Sequence, residues 1–142
     1  MIDNRTVPYA ALVLRLSLGV LFLAHAALKI FVFTPAGTAQ YFASLGLPPA
    51  LAYLTMFGEA GGGAALVLGV QTRLISLALT PILIGAIVTA HGGNGWLFSN
   101  AGGGWEFPAF WAATLVVQAL LGDGAFALKI PSPFRLAAAV QS

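Results

Sequence analysis

The sequence predicts an all-α integral membrane protein, an antiparallel four-helix bundle with both termini on the cytoplasmic side. Three observations carry that expectation. Of 142 residues, 59% are hydrophobic and 7% charged, with a mean hydropathy of +0.93, against roughly 25% charged in an ordinary soluble domain. Four apolar runs recur along the chain, and because one crossing takes about 20 apolar residues, four crossings with brief loops use up its length. Lys and Arg are also one-sided: Arg5, Arg73, Lys129 and Arg135 fall at one end of this layout, whereas the loops at 34–49 and 91–105 contain neither. Positive charge collects in retained cytoplasmic loops, so those two loops face outward.

The first span is expected at 8–33, opened by Pro8, whose missing N–H costs nothing in a first helical turn. A turn at Thr34-Pro35-Ala36-Gly37 leads to a short interfacial helix at 38–46, anchored by Tyr41, Phe42 and Leu45 and ended by Pro48-Pro49. The second and third spans, 50–70 and 74–90, are separated only by Gln71-Thr72-Arg73, which forces an antiparallel hairpin. Pro81 is expected to kink the third span. A Gly-rich loop then leads to a fourth span at 107–121, interrupted by Gly122-Asp123-Gly124 and closed off by Pro131-Ser132-Pro133. The whole of 1–142 thus reads as a single membrane domain. Ala24-His25-Ala26 imitates a signal-peptidase site, but Arg15 interrupts the preceding run, which continues past Ala26, so the segment reads as a retained span.

Composition also excludes functions. The net charge of +2 includes no basic run or aromatic-interleaved basic stripe, so nucleic acid is not an expected partner. Cysteine is absent, which removes thiolate catalysis, iron–sulfur clusters and cysteine zinc sites. Chemistry must come from His, Glu, Asp, Arg and Lys, or from a bound cofactor.

An ionisable group inside a span costs several kcal/mol unless paired or solvated, so each one is a functional candidate. At about 100° per residue, Arg15, His25 and Lys29 fall within an arc of roughly 80° on the first helix. From a rise of about 1.5 Å per residue, Arg15 lies roughly 10 Å from the cytoplasmic end and Glu59 about 13 Å below the outer surface. His25, Lys29, Glu59, His91 and Glu106 therefore converge on the outer half. Glu59 and His25 are the expected catalytic, proton-handling pair; Lys29, Arg15, His91, Glu106 and Trp105 are the expected ligand-binding residues. Among apolar neighbours Glu59 would keep its proton, and beside Lys29 or Arg15 it would be ionised. Its alternative role is a helix lock made with either cation.

Gly58, Gly61, Gly62 and Gly63 surround Glu59, and the Gly58 to Gly62 spacing suits close helix approach or room for a flat ligand. His25, His91, Glu59 and Glu106 would form a ligand set for iron or manganese, but no pair has i, i+3 or i, i+4 spacing, so no metal is expected. Trp96, Trp105, Trp111 and Tyr41 suit stacking on a ring, or equally a membrane aromatic belt. Asp123 suits a salt bridge with Arg15 or a helix cap.

These residues fall into ordered blocks: Arg15…Leu18-Gly19…Phe22-Leu23…His25…Lys29; Phe42-Ala43-Ser44-Leu45-Gly46-Leu47-Pro48; Gly58-Glu59…Gly62-Gly63…Leu68-Gly69…Thr72-Arg73; and His91…Gly95-Trp96 followed by Gly102-Gly103-Gly104-Trp105-Glu106-Phe107-Pro108. In this order they resemble the DoxX family of small bacterial membrane proteins over 12–124, with Ala26 standing where the family commonly has Gly. The resemblance implies a four-helix bundle in the plasma membrane and, loosely, a link to quinone or thiol redox chemistry. A quinone-linked oxidoreductase or redox subunit is the expectation that follows. It would work with membrane lipid around it and a redox partner protein that supplies electrons, since no flavin or nicotinamide motif is recognisable. The alternatives are a non-catalytic assembly subunit and a small lipophile-binding or transport protein, the latter acting as a homodimer.

Overall fold

A computed structural model describes residues 3–128, and among them the chain is all-helical. Lys129, Arg135 and Pro131-Ser132-Pro133, on which part of the charge and boundary reading rests, lie outside the described residues.

Helix α1, Val7–Ala27, takes Pro8 in its first turn and passes without a break into a π-helical turn, Leu28–Val32. Helix α2, Pro35–Ser44, starts earlier than expected. The Thr34 hydroxyl accepts from Gly37 N at 3.2 Å and Pro35 fixes the first helical φ, so the supposed turn is the helix's own first turn. Helix α3, Ala50–Leu68, stops at Gly69, whose φ of 75° a side chain would resist. Helix α4, Thr72–Ala86, runs through Pro81 and continues as a second π turn, Ile87–His91, and a 3-10 turn, Gly92–Asn94. Helix α5 is Glu106–Leu121.

With these continuations, three segments are long and apolar enough to cross a membrane: Val7–Val32, Ala50–Leu68 and Thr72–Asn94, with mean hydropathies of 2.0, 1.3 and 2.0. Helix α5 is apolar but only 16 residues long. Helix α1 packs on α3 and α5, α4 packs on the same two, and α2 lies beside α3. The buried centre is Leu18, Phe22, Leu66, Leu79, Leu83, Trp111, Ala112 and Leu115. Large apolar side chains such as Phe31, Phe57 and Phe110 point outward as well, as expected for helices solvated by lipid.

Lipid tails are as apolar as leucine, so helices in a membrane associate through close packing and internal polar contacts. Gly19 of α1 and Gly63 of α3 supply the closest approach: a Cβ on Gly19 would lie 2.8 Å from Gly63 O, and one on Gly63 would lie 2.9 Å from Gly19 O. Gly58 and Gly62, the pair singled out by spacing, instead meet the side chains of Ile82 and Leu79 on α4.

One end of the helix set is tied by polar groups. Ala125 N donates to Pro8 O at 2.9 Å, and Leu128 N to Leu68 O at 3.0 Å. Asp123 Oδ1 accepts from Thr72 N at 3.1 Å, which caps α4 with a carboxylate where the helix dipole favours one. The starts of α1 and α4 thus meet the ends of α3 and α5, and neighbouring helices alternate in direction.

Arg15 completes this end, with a relative exposure of 1%. Its Nη1 donates to Leu66 O and Val67 O, both at 3.2 Å, and its Nη2 to Ala125 O at 3.1 Å. The last four carbonyls of a helix lack intrahelical donors. In α3, Val70 N serves Ala65 O, Gly69 N and Arg15 share Leu66 O, Arg15 serves Val67 O, and Leu128 N serves Leu68 O.

Candidate functional site

At the opposite end, the five helices surround a cavity of about 500 Å³. Its walls are mostly apolar, drawn from Tyr41, Phe42, Leu54, Pro81, Leu83, Phe107 and Trp111 among others, and its ionisable residues are His25, Lys29, Glu59 and His91.

The π turn at the end of α1 carries Lys29, and its geometry follows from what holds it. Widening a helix to π spacing disturbs the regular carbonyl ladder. Thr38 Oγ1 of α2 lies 3.1 Å from Lys29 O and 2.9 Å from Thr34 O, so α2 anchors the turn. From there Lys29 Nζ reaches Glu59 of α3, donating to Oε1 at 2.9 Å and to Oε2 at 2.8 Å. The side chains are 19% and 5% exposed. The pair is mutually satisfied and carries no net charge, so the chamber offers no free charge to an anion.

His25 stands one turn before Lys29. Its ring meets Trp111 of α5 edge to face, with centroids 4.9 Å apart, and it makes no hydrogen bond among the described residues. His91, at the end of the π turn of α4, lies with Nδ1 2.8 Å from Gly103 O. A carbonyl oxygen only accepts, so Nδ1 carries the hydrogen of this bond.

Of the seven residues singled out by sequence, the structure brings four to the cavity: His25, Lys29, Glu59 and His91. Arg15 points away from it, into the carbonyls at the end of α3. Glu106 accepts from Phe98 N at 2.8 Å and staples the loop ahead of α5, and Trp105 packs edge to face on Trp96 at 4.5 Å in the same loop. Neither Glu106 nor Trp105 lines the cavity. Of the glycines around Glu59, Gly58, Gly62 and Gly63 pack against neighbouring helices and Gly61 faces open space, and none of the four lines the cavity. Among the described residues no three of His, Asp and Glu gather as a metal-ligand set.

Trp111 is the wall residue that sequence reasoning undervalued. It is 4% exposed and packs on Phe22, His25 and Phe107. A signal was present: Trp111 stands one turn inside its span, below Phe107, whereas belt aromatics sit at the ends.

Fold and cavity together define a small helical membrane protein in which His25, Lys29, Glu59 and His91 gather around one mostly apolar chamber. The chain belongs to the DoxX family: the family's sequence model matches residues 10–92. The resemblance of the Gly-rich loop and the start of α5 lies past that match. The chain is also similar, at 32% identity over 125 residues and 88% of each sequence, to a Bacillus subtilis (strain 168) protein named "Putative oxidoreductase CatD". No solved structure matches.

Proposed function

We propose that this DoxX protein is a quinone-linked redox protein, or a redox subunit, of the bacterial plasma membrane. In this reading α1, α3, α4 and α5 all cross the bilayer, the end bearing the exposed Arg5 and Arg73 faces the cytoplasm, and the cavity lies in the outer half. The observation that carries the proposal is the cavity itself: about 500 Å³ of mostly apolar space with His25 and the Lys29–Glu59 pair on its wall. That volume falls in the range of small-molecule sites, roughly 300–1,000 Å³. The name of the Bacillus subtilis relative points to the same class of chemistry.

A lipophilic quinone, when bound, accepts two electrons and two protons. The chain's own contribution is shape and protons. The neutral Lys29–Glu59 pair admits an uncharged ring without a charge penalty, and His25 is positioned to hand over and regain a proton, with Glu59 and Lys29 as the next exchangeable groups. Electrons come from a partner redox protein, because the sequence has neither cysteine nor a recognisable dinucleotide-binding motif.

The test is mass spectrometry of the lipophiles that copurify with the detergent-solubilised protein and with its Glu59→Gln variant, together with metal analysis. A stoichiometric quinone in the parent, depleted in a folded variant, supports the proposal. A well-folded protein that carries no ring compound and binds none on addition sinks it and favours a non-catalytic assembly subunit.

A further inference from the structure

The chamber is open on one side, and the exposure of its walls says which. Among the described residues that line it, those that are also exposed are Tyr41 of α2, Leu51 and Leu54 of α3, Pro81 and Gly85 of α4, and Phe98 of the loop after α4. None of them belongs to α1 or α5, whose contributions, Pro108 and Trp111 among them, are buried or half-buried. The opening therefore lies on the side of α3 and α4.

Packing along the seam between these two helices sets where the opening begins. Toward the Arg15 end they touch: a Cβ on Gly62 would lie 2.8 Å from the Leu79 side chain, and one on Gly58 would lie 3.3 Å from Ile82. One turn further, away from Arg15, Leu54 and Ala86 both line the chamber, and a Cβ on Gly85 would meet nothing within 4 Å. Gly61 faces open space too but lines no part of the chamber, whereas Gly85 is exposed and lines it. Pro81 and Gly85 stand near the middle of the 23-residue segment Thr72–Asn94. In a bilayer that position puts this edge of the opening among acyl chains, well below the headgroups. A molecule that enters there is already dissolved in lipid. Leu51, Leu54 and Pro81 at the rim match a hydrocarbon chain and give a polar head nothing to pair with. Resting on the reading of this chamber as the ligand site, we propose that its ligand is a ring compound with one hydrocarbon tail, which enters sideways from the lipid between α3 and α4. The ring then lies beside His25 and the Lys29–Glu59 pair, and the tail stays in the opening, across Gly85.

The experiment uses the full chain in detergent, with phylloquinone as the tailed probe and menadione, the same ring without the tail, as its counterpart, binding being followed by calorimetry. Gly85→Leu puts a side chain where the tail would lie, and Gly61→Leu puts the same side chain at a glycine outside the chamber. Gly85→Leu is expected to bind phylloquinone about tenfold more weakly with menadione unchanged, and Gly61→Leu to bind both as the parent does. Equal phylloquinone affinity in parent and Gly85→Leu, an equal loss for both probes, or the same loss in Gly61→Leu overturns the opening while leaving the cavity reading in place. So does a parent that binds menadione alone. A parent that binds neither probe overturns both. A second measurement needs no variant: menadione carrying a diazirine on a short alkyl tail is photolysed on the parent and the labelled residues are mapped by mass spectrometry. Labels on Leu51, Leu54 or residues 81–85 support the proposal, and labels confined to α1 or α5 overturn it.

Discussion

Lys29 Nζ on the π turn of α1 and the carboxylate of Glu59 on α3 form a two-pronged bond, 2.9 and 2.8 Å long, the one ion pair among the described residues. Removing one member of a buried pair costs more than the pair contributes, because the other charge is stranded. Lys29→Met leaves a carboxylate that is 5% exposed without a cation, and the expected loss is about 3–5 kcal/mol. Glu59→Gln still offers the ammonium an oxygen and should cost about 1–3 kcal/mol. The double variant should be more stable than Lys29→Met alone. Thermal unfolding in detergent orders the three, and a Lys29→Met protein as stable as the parent would refute this account of the pair.

Gly19 and Gly63 make the second prediction. Each faces the other's backbone oxygen at less than 3 Å from the position a Cβ would take, and backbone cannot swing aside as a side chain can. Gly19→Ala or Gly63→Ala should force α1 and α3 apart and destabilise the protein by about 1–3 kcal/mol. Gly61 faces open space, so Gly61→Ala should be neutral or stabilising through its better helix propensity. The same unfolding series checks both statements, and equal effects at Gly61 and Gly63 would contradict the packing.

The contrast among these glycines shows what the sequence discloses. Hydropathy and punctuation were enough for an all-helical membrane protein with breaks near Thr34, Gly69 and Gly122, since those follow from the composition of each run. Spacing alone could not say which small residue meets which helix, and it chose Gly58 and Gly62 over Gly63. The end of the helix set at which Arg15, His25, Lys29 and Glu59 lie was legible from the helical rise, so the pairing of Lys29 with Glu59 was among the expected outcomes. Side-chain direction was not legible. Arg15 shares a helical arc with Lys29 yet turns to the carbonyls of α3, and Glu106, at the first position of α5, turns back to the loop amide of Phe98. Both choices depend on where unpaired backbone groups lie, which periodicity does not encode.

Arg15 is therefore expected to behave as a fastener rather than a ligand-binding residue. Arg15→Met strands Val67 O and Ala125 O and should cost about 3 kcal/mol, given that hydrogen bonds to charged groups contribute about 1.5–3 kcal/mol. Arg15→Lys cannot reproduce the planar fork and should recover only part of that loss. Where either variant folds, binding of a ring compound in the distant cavity should be unchanged. A selective loss of binding with normal unfolding would return Arg15 to the site.

Glu106 supplies the last prediction, because its carboxylate was expected at the ligand and is found holding a loop. Its Oε1 accepts from Phe98 N at 2.8 Å, while Gly104 N donates to Leu97 O at 3.0 Å and Trp105 N and Glu106 N donate to Gly95 O and Trp96 O at 3.1 Å, so backbone bonds and the carboxylate together close the segment ahead of α5 on itself. Glu106→Ala removes the charged acceptor and leaves the backbone bonds in place. The amide of Phe98 should then exchange hydrogen about tenfold faster, the equivalent of one lost bond worth roughly 1.4 kcal/mol, with the unfolding temperature little changed. Phe98 also lines the cavity, so a looser loop should speed ligand release without altering proton exchange at His25 or Glu59. Hydrogen-exchange mass spectrometry over residues 92–106 reads the first effect directly. Unchanged exchange at Phe98 would show that the loop is held by its backbone bonds alone, and an abolished redox activity with unchanged exchange would place Glu106 back among the reacting groups.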